Sequence, residues 1–250
     1  DFAIAYWNKE TKKLFLIRDQ IGKKPLYYAF YKNFFLFNSS IRGIQDVINS
    51  KSINNDSLSN YLVYGNMFDD KTIFKEIYQL MPGNILIFDS QNGEISIKKY
   101  FDFQQHIIQS KYINRNYEDL QNLLSENIEL VIKSHLCSDV PLSLLLSSGI
   151  DSKVIARYSL SSKVKAYTAN FKTNRKEVED SKKFTNHFKG FEHKIINIKE
   201  SKVFEVLEKI IEFIGEPFAD ASIIPLFYLY SNLPKNSKVV LQGDGGDELF

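Results

Sequence analysis

The stretch Pro141-Leu-Ser-Leu-Leu-Leu146, running without a break into Ser147-Ser-Gly-Ile-Asp-Ser152, constrains the fold more than any other part of the chain. A short apolar run with no alternation of inward and outward residues is a strand covered on both faces, and parallel sheets with crossover helices on each side provide that cover. The surroundings agree. From Asn116 onward, Leu120, Leu123, Leu124, Ile128 and Val131 fall on one helical face, with Glu118 and Asp119 in the first turn. After the run, a helix is expected from near Asp151, a strand over 164–171, a polar helix near 177–188 and a strand over 192–198. Val203, Val206, Leu207, Ile210, Ile211 and Ile214 mark an amphipathic helix; a further helix over 223–231 leads to a strand over 238–241. Strands alternating with helices predict a doubly wound parallel sheet.

The first hundred residues read differently. Short aromatic and aliphatic runs at 2–7, 13–18, 26–31, 34–37, 84–88 and 94–100 are strand candidates, separated by turn compositions such as Asn8-Lys-Glu-Thr11, Gly22-Lys-Lys-Pro25 and Ser90-Gln-Asn-Gly93. Helices are expected at 41–48 and 57–64. Phe2–Trp7 reads as a core strand, and the aromatic run over 26–37 as the core of a barrel or sandwich. Residues 101–113 lack periodicity. The expected organisation is therefore a mainly β part over 1–104, a linker over 105–115 and an α/β part over 116–250, which suits 250 residues. Opening at Asp1 inside a strand and stopping at Phe250 directly after a motif, the chain reads as an internal piece of a longer protein.

Composition excludes several classes. With 44% hydrophobic and 25% charged residues, the chain is globular rather than disordered. A net charge of +2 with interspersed signs argues against a nucleic-acid surface over the whole chain. No apolar run approaches the roughly 20 residues of a bilayer span, and no signal peptide is visible. Cys137 is the single cysteine, which excludes an internal disulfide and a cysteine-based zinc site; a structural thiol is expected there. His106, His135, His187 and His193 lack metal-ligand spacing and are expected in core or surface roles. A cytoplasmic protein without nucleic-acid or membrane partners is the expectation.

In open α/β sheets, ligands sit beyond the carboxyl ends of the strands. Ser147-Ser-Gly-Ile-Asp-Ser152 lies at such an end and offers N–H groups and hydroxyls at a helix N-terminus, an arrangement suited to an anion. It lacks the Walker A pattern. The same residues also suit a tight turn in which Asp151 or Ser147 caps the helix. Gln242-Gly-Asp-Gly-Gly-Asp-Glu248 follows the last expected strand. Its glycines permit close backbone approach, and Asp244, Asp247 and Glu248 form either a hard-oxygen Mg²⁺ site or an exposed acidic turn. Both loops on one sheet point to nucleoside triphosphate chemistry.

Three segments carry a family resemblance. Lys133-Ser-His-Leu-Cys-Ser-Asp-Val-Pro-Leu-Ser-Leu-Leu-Leu-Ser-Ser-Gly-Ile-Asp-Ser152 resembles the start of the synthetase domain of glutamine-hydrolysing asparagine synthetases, its loop similar to their SGGxDS pyrophosphate loop. Glu216-Pro-Phe-Ala-Asp-Ala-Ser222 and Val239-Val-Leu-Gln-Gly-Asp-Gly-Gly-Asp-Glu-Leu-Phe250 resemble later signatures of that domain. Arg18-Asp-Gln-Ile-Gly-Lys-Lys-Pro-Leu-Tyr-Tyr28 resembles RDxxGxxPLYY of their glutaminase domain. The resemblance covers nearly the whole chain.

It implies a partial α+β N-terminal-nucleophile glutaminase domain, then the start of a doubly wound ATP-pyrophosphatase (adenine nucleotide alpha hydrolase-like) domain. The implied substrates are aspartate, glutamine or ammonia, and ATP with Mg²⁺, and a homodimer is compatible with it. Carried over by position, Leu146, Ser147, Ser148, Gly149, Asp151 and Ser152 hold the ATP phosphates and Ala169 borders the adenine. Gln242 and Gly243 line the nucleotide, Asp151 and Asp247 bind Mg²⁺, and Asp244 serves adenylate formation. Glu216, Asp220 and Ser222 either border the acceptor pocket or shape a turn.

The chain departs from the pattern at Ser148, Lys153, Gln242 and Asp244, where the family more often has Gly, Ser, Ser and Glu. Lys153 either adds a cation near the phosphates or faces solvent. By the same resemblance the nucleophilic cysteine precedes Asp1, so this chain is not expected to hydrolyse glutamine. Other readings are amidation of a different carboxylate, such as a surface-polysaccharide sugar or secondary metabolite, and a non-catalytic nucleotide-binding relative. A sulfur- or nitrogen-transfer enzyme acting on RNA is disfavoured by the first half.

Overall fold

The computed structural model describes residues 1–48, 52–109, 115–162, 164–171, 175–188, 192–198 and 203–246. The chain divides into two compact units, Asp1–Ile113 with Glu208–Ala221, and Asn114–Leu207 with Ser222–Phe250. Among the described residues no helix is long and apolar enough to cross a membrane.

In the first unit the chain runs through β1 (Ala3–Asn8), β2 (Lys13–Arg18), β3 (Tyr27–Tyr31), β4 (Phe34–Asn38), α1 (Ile41–Ile48), α2 (Asn55–Tyr64), β5 (Ile77–Gln79), β6 (Asn84–Asp89), β7 (Ile95–Lys99) and α3 (Phe103–Ile108). Two antiparallel sheets result, ordered β1-β2-β6-β7 and β4-β3-β5. Leu16 and Leu86 of one and Leu26, Tyr28 and Leu80 by the other make a common core, joined by Phe35 and Phe88, whose rings stack at 4.5 Å. Tyr28 and Phe35 of the aromatic run enter this core as expected, whereas Phe30, Phe34 and Phe37 are exposed. Ile41, Ile44 and Ile48, one stripe of α1, bury against Ala29 and Ile77. Each such side chain contributes about 1.5–3 kcal/mol by leaving water.

Three expectations change here. Phe2–Trp7 does form a strand, yet it is no core strand: among the described residues β1 is an edge paired with β2 alone, and Ile4, Tyr6 and Trp7 are 42%, 56% and 42% exposed. Residues 103–108, inside the stretch without periodicity, fold as α3, capped by the Asp102 carboxylate accepting the Gln105 N–H at 3.1 Å. The short β5 has no signature of its own and exists through pairing with β3.

The second unit contains α4 (Tyr117–His135), β8 (Leu142–Leu145), α5 (Ile150–Tyr158), β9 (Lys165–Asn170), α6 (Arg175–His187), β10 (His193–Asn197), the start of α7 (Val203–Ile214), α8 (Ile223–Asn232) and β11 (Val239–Leu241). Its strands pair in parallel in the order β10-β9-β8-β11. Alternate residues feed opposite faces. Leu144 and Ala166 pack with Leu146, Ala156 and Val164 on the side of α5, whereas Leu145 and Tyr167 pack with Leu229 of α8. Two-sided burial explains the unbroken apolar run, and the sheet is doubly wound as expected. Cys137 lies exposed just beyond α4, so it does not serve as a packed structural thiol.

Candidate functional site

The chain first builds β8, then β9 and β10 to one side, and finally β11 on the other. Strand order therefore reverses between β8 and β11, and the crevice at their carboxyl ends is where open sheets of this kind hold ligands. The two loops singled out by sequence leave from those two strands.

Leu146 extends the β8–β9 pairing by one step, its N–H donating to the Tyr167 carbonyl at 2.9 Å. Its side chain is buried, so only its backbone meets the loop. Ser147 then turns the chain: its hydroxyl accepts the Gly149 N–H at 3.1 Å, and its own N–H donates to Ser152 Oγ at 3.1 Å. The Ser147 and Ser152 hydroxyls lie 2.9 Å apart. Ser152 is 5% exposed and braces the loop from inside. Ser148 and Gly149 are exposed. The capping alternative is corrected: Gly149, not Asp151 or Ser147, occupies the N-cap of α5, and no side chain caps it. The loop offers hydroxyls and N–H donors, a set that fits phosphate oxygens.

The second loop touches the first. A Cβ on Gly243 would stand 2.7 Å from the Ser152 backbone nitrogen and 2.8 Å from Asp151 Cβ. One on Gly246 would stand 2.5 Å from Asp151 Cγ. At Gly243 such spacing against backbone leaves room for hydrogen alone, the physical reason for glycine there. At Gly246 the neighbour is the end of the Asp151 side chain, which can shift. Gln242 is held between two elements: Tyr230 of α8 donates to its Oε1 at 2.8 Å, and its Nε2 donates to Asp244 Oδ2 at 2.7 Å. Burial, then the Asp244 charge, raises the Tyr230 phenol above its ordinary value.

Asp151, partly exposed at the start of α5, presents a carboxylate beside Gly246, and its hard oxygens suit Mg²⁺. Asp247 and Glu248 lie outside the described residues. Among those described, no three His, Cys, Asp or Glu side chains gather as a metal cluster. Ala169 stands near the end of β9, partly buried. Lys153 is half-buried in a recess with Asp180, Lys183, Phe184, His187 and Phe188, between α5 and α6.

The Arg18-Asp19 pair of the first unit is structural. Arg18 donates to the carbonyls of Lys24 (3.0 Å), Leu80 (2.7 Å) and Gly22 (2.8 Å), and both residues are buried. Burial alone would push the Asp19 carboxyl up. N–H donation from Lys24, Lys23, Phe2 and Gly22 outweighs it and holds the group below its ordinary value.

Glu216 and Asp220 also belong to the first unit. They line a cavity of about 440 Å³ with Tyr27, Asn66, Lys71 and Phe218. Tyr27 Oη donates to Glu216 Oε1 at 3.4 Å, while Oε2 is buried without a hydrogen-bond partner among the described residues. Burial raises the Glu216 carboxyl; burial and that carboxylate push Tyr27 up to about 12. Ser222 instead opens α8 in the second unit.

Sequence reasoning missed Tyr230, because an aromatic on an apolar helix carries no mark of its hydroxyl partner. It also missed Thr168 and the face that His193 presents to it, a pairing set by neighbouring strands.

A strand-to-helix loop rich in donors, set against a glycine-rich acidic loop at a switch point, places the second unit in the class of open parallel α/β sheets with a crevice at the carboxyl ends of the strands. The asparagine synthase family matches residues 123–250 and the glutamine amidotransferase domain family residues 1–101. The chain belongs to the asparagine synthase family. Over its whole length it is similar to the putative glutamine-hydrolyzing asparagine synthetase 2 of Methanocaldococcus jannaschii, at 31% identity over 48% of that protein. It is similar to glutamine-hydrolyzing asparagine synthetase 1 of Bacillus subtilis at 27% identity, over all of the chain and 39% of that protein. Amidase chry2 of Gibberella zeae is 23% identical over all of the chain and 39% of its own length. The chain thus spans half or less of these relatives.

Proposed function

We propose that the chain is part of a glutamine-dependent amidotransferase-type ligase that converts aspartate to asparagine through a β-aspartyl-adenylate. The observation carrying this reading is the contact of Gly243 and Gly246 with Asp151 and Ser152 at the β8–β11 switch point. The aspartate β-carboxylate attacks the α-phosphorus of ATP and pyrophosphate leaves; ammonia then attacks the acyl carbon and AMP leaves. Pyrophosphate departs with several negative charges, which donors fixed in advance stabilise most effectively.

In this reading Ser147, Ser148, Gly149 and the Leu146 backbone face the phosphates, and Ser152 keeps their loop in shape. Ala169 borders the adenine, Gln242 and Gly243 line the nucleotide, and Asp244, oriented by Gln242, serves adenylate formation. Asp151 and Asp247 would hold Mg²⁺, which neutralises phosphate charge when bound. Residues 1–104 contribute the C-terminal part of a glutaminase-like domain without its nucleophilic cysteine, 105–115 the linker and 116–250 the N-terminal part of the synthetase domain. Cytoplasmic location and a homodimer complete the proposal.

The test is exchange of labelled pyrophosphate into ATP on the full chain with Mg²⁺. Exchange that requires aspartate and disappears in Asp151→Ala is expected. Exchange driven only by another carboxylate would move the reading to a different acceptor; MgATP binding without any exchange would overturn catalysis.

A further inference from the structure

We propose that His193 is a positioning residue of the nucleotide site, fixing through Thr168 the backbone carbonyl of Leu146 where the Ser147–Ser152 loop leaves β8. The inference rests on the nucleotide-site reading above and adds a residue outside both loops.

Strand register creates the arrangement. His193 of β10 lies opposite Ala166 of β9, so its side chain shares a face with Thr168 one diagonal step along. Thr168 is 1% exposed, and its hydroxyl donates to the Leu146 carbonyl. A hydroxyl has one proton, so the second contact of that oxygen, His193 Nε2 at 2.8 Å, must be donated by the ring. The tautomer follows from this accounting: Nε2 carries hydrogen, and Nδ1 faces Thr185 Oγ1 of α6 at 3.2 Å. Thr185 Oγ1 also donates to the Lys182 carbonyl at 3.1 Å, so its single proton is shared between that carbonyl and the Nδ1 of the neutral ring. A connected row therefore runs from α6 through the imidazole to the residue that starts the loop. Leu146 is held on both sides, its N–H on Tyr167 and its carbonyl on Thr168. Loss of the ring leaves a buried hydroxyl one donor short and frees the loop's first carbonyl to shift.

The surroundings favour the neutral ring. Burial first, then the Lys182 ammonium of α6, lowers its proton affinity. On β9 the ring meets the Thr168 hydroxyl. Glu192, next in sequence, is engaged by Lys165 at 3.0 Å and Lys194 at 3.9 Å. Asp180 of α6 is engaged by Lys183 at 3.4 Å. Protonation would add a hydrogen at Nδ1 and leave the Nε2–H donor to Thr168 in place.

The test is MgATP affinity by calorimetry on the full chain between pH 5.5 and 8, for wild type, His193→Gln and His193→Leu. Gln keeps an N–H donor without titrating, so its ratio to wild type cancels the titration of ATP itself. At pH 8, His193→Leu is expected to weaken affinity about tenfold and His193→Gln by less than about threefold. The ratio of wild type to His193→Gln is expected to stay constant across this pH range, because both protonation states of the ring keep the Nε2–H donor to Thr168. Thr168→Val should match His193→Leu, and the double variant should lose no more. Nitrogen NMR of the imidazole gives a readout that survives a misfolded variant: the neutral form must carry its proton on Nε2. Equal affinities for wild type and His193→Leu across the pH range, or a proton on Nδ1, would overturn the inference alone. Wild type that binds no MgATP at pH 8 would overturn the nucleotide-site reading and the inference with it.

Discussion

Gly243 lies against Ser152 so closely that a methyl group on it would stand 2.7 Å from the Ser152 backbone nitrogen. Two loops from different strands meet there with no side chain between them. Gly243→Ala is therefore expected to push the second loop off α5 and weaken MgATP binding at least about tenfold. Calorimetry measures the affinity, and an unchanged circular dichroism spectrum would show that the sheet remains.

Tyr230→Phe removes one hydroxyl and leaves the ring in place. Gln242 then loses the donor that fixes its amide, and with it the orientation of its Nε2 toward Asp244. The expected outcome is a roughly three- to tenfold lower kcat for pyrophosphate exchange with little change in the KM for ATP. A raised KM with normal kcat would assign the row to binding instead.

Glu216 stands in the first unit with one oxygen buried and without a partner among the described residues. Burial raises its carboxyl in the folded state. A raised carboxyl contributes stability that is full below the unfolded value of about 4.3 and is lost as pH rises through the folded value. Glu216→Gln is thus expected to stabilise the first unit near pH 8, by on the order of 1 kcal/mol or a few degrees in Tm, with the gain vanishing near pH 4. Thermal melts across that range decide it; a gain that grows toward pH 4 would contradict the assignment.

Arg18 satisfies carbonyls on three separate residues from one planar group. Lysine presents a point charge and cannot reach all of them. Arg18→Lys is expected to cost about 3 kcal/mol in denaturant unfolding of the first unit, while the MgATP affinity of the second unit should stay within a factor of about two. A loss below about 0.5 kcal/mol would mean that the turn holds itself together without the guanidinium.

The legible features share a physical cause. Leu144 and Leu145 face opposite layers, so unbroken apolarity announces a two-sided strand. The stripe Ile41, Ile44 and Ile48 follows helical spacing and buries as one. What escaped depends on partners distant in sequence. Nothing local in Phe2–Trp7 says that, among the described residues, β1 has a neighbour on one edge only. The Asp102 cap was present, but Gln104, Gln105 and His106 blurred the apolar period of α3. Glu208–Ala221 joins the first unit through contacts such as Tyr27 with Glu216, which lie 189 residues apart. In the site, the loops were visible as motifs, whereas the Gly149 cap and the rows through Tyr230 and Thr168 arise only once strands and helices are set side by side.

The most direct measurement is a crystal structure of the full chain with a non-hydrolysable ATP analogue and Mg²⁺. The account predicts phosphate density against the Ser147, Ser148 and Gly149 loop, the base near Ala169, and Gly243 in contact with the nucleotide. Analogue bound away from the β8–β11 crevice, or a crevice that stays empty at saturating concentration, would contradict it.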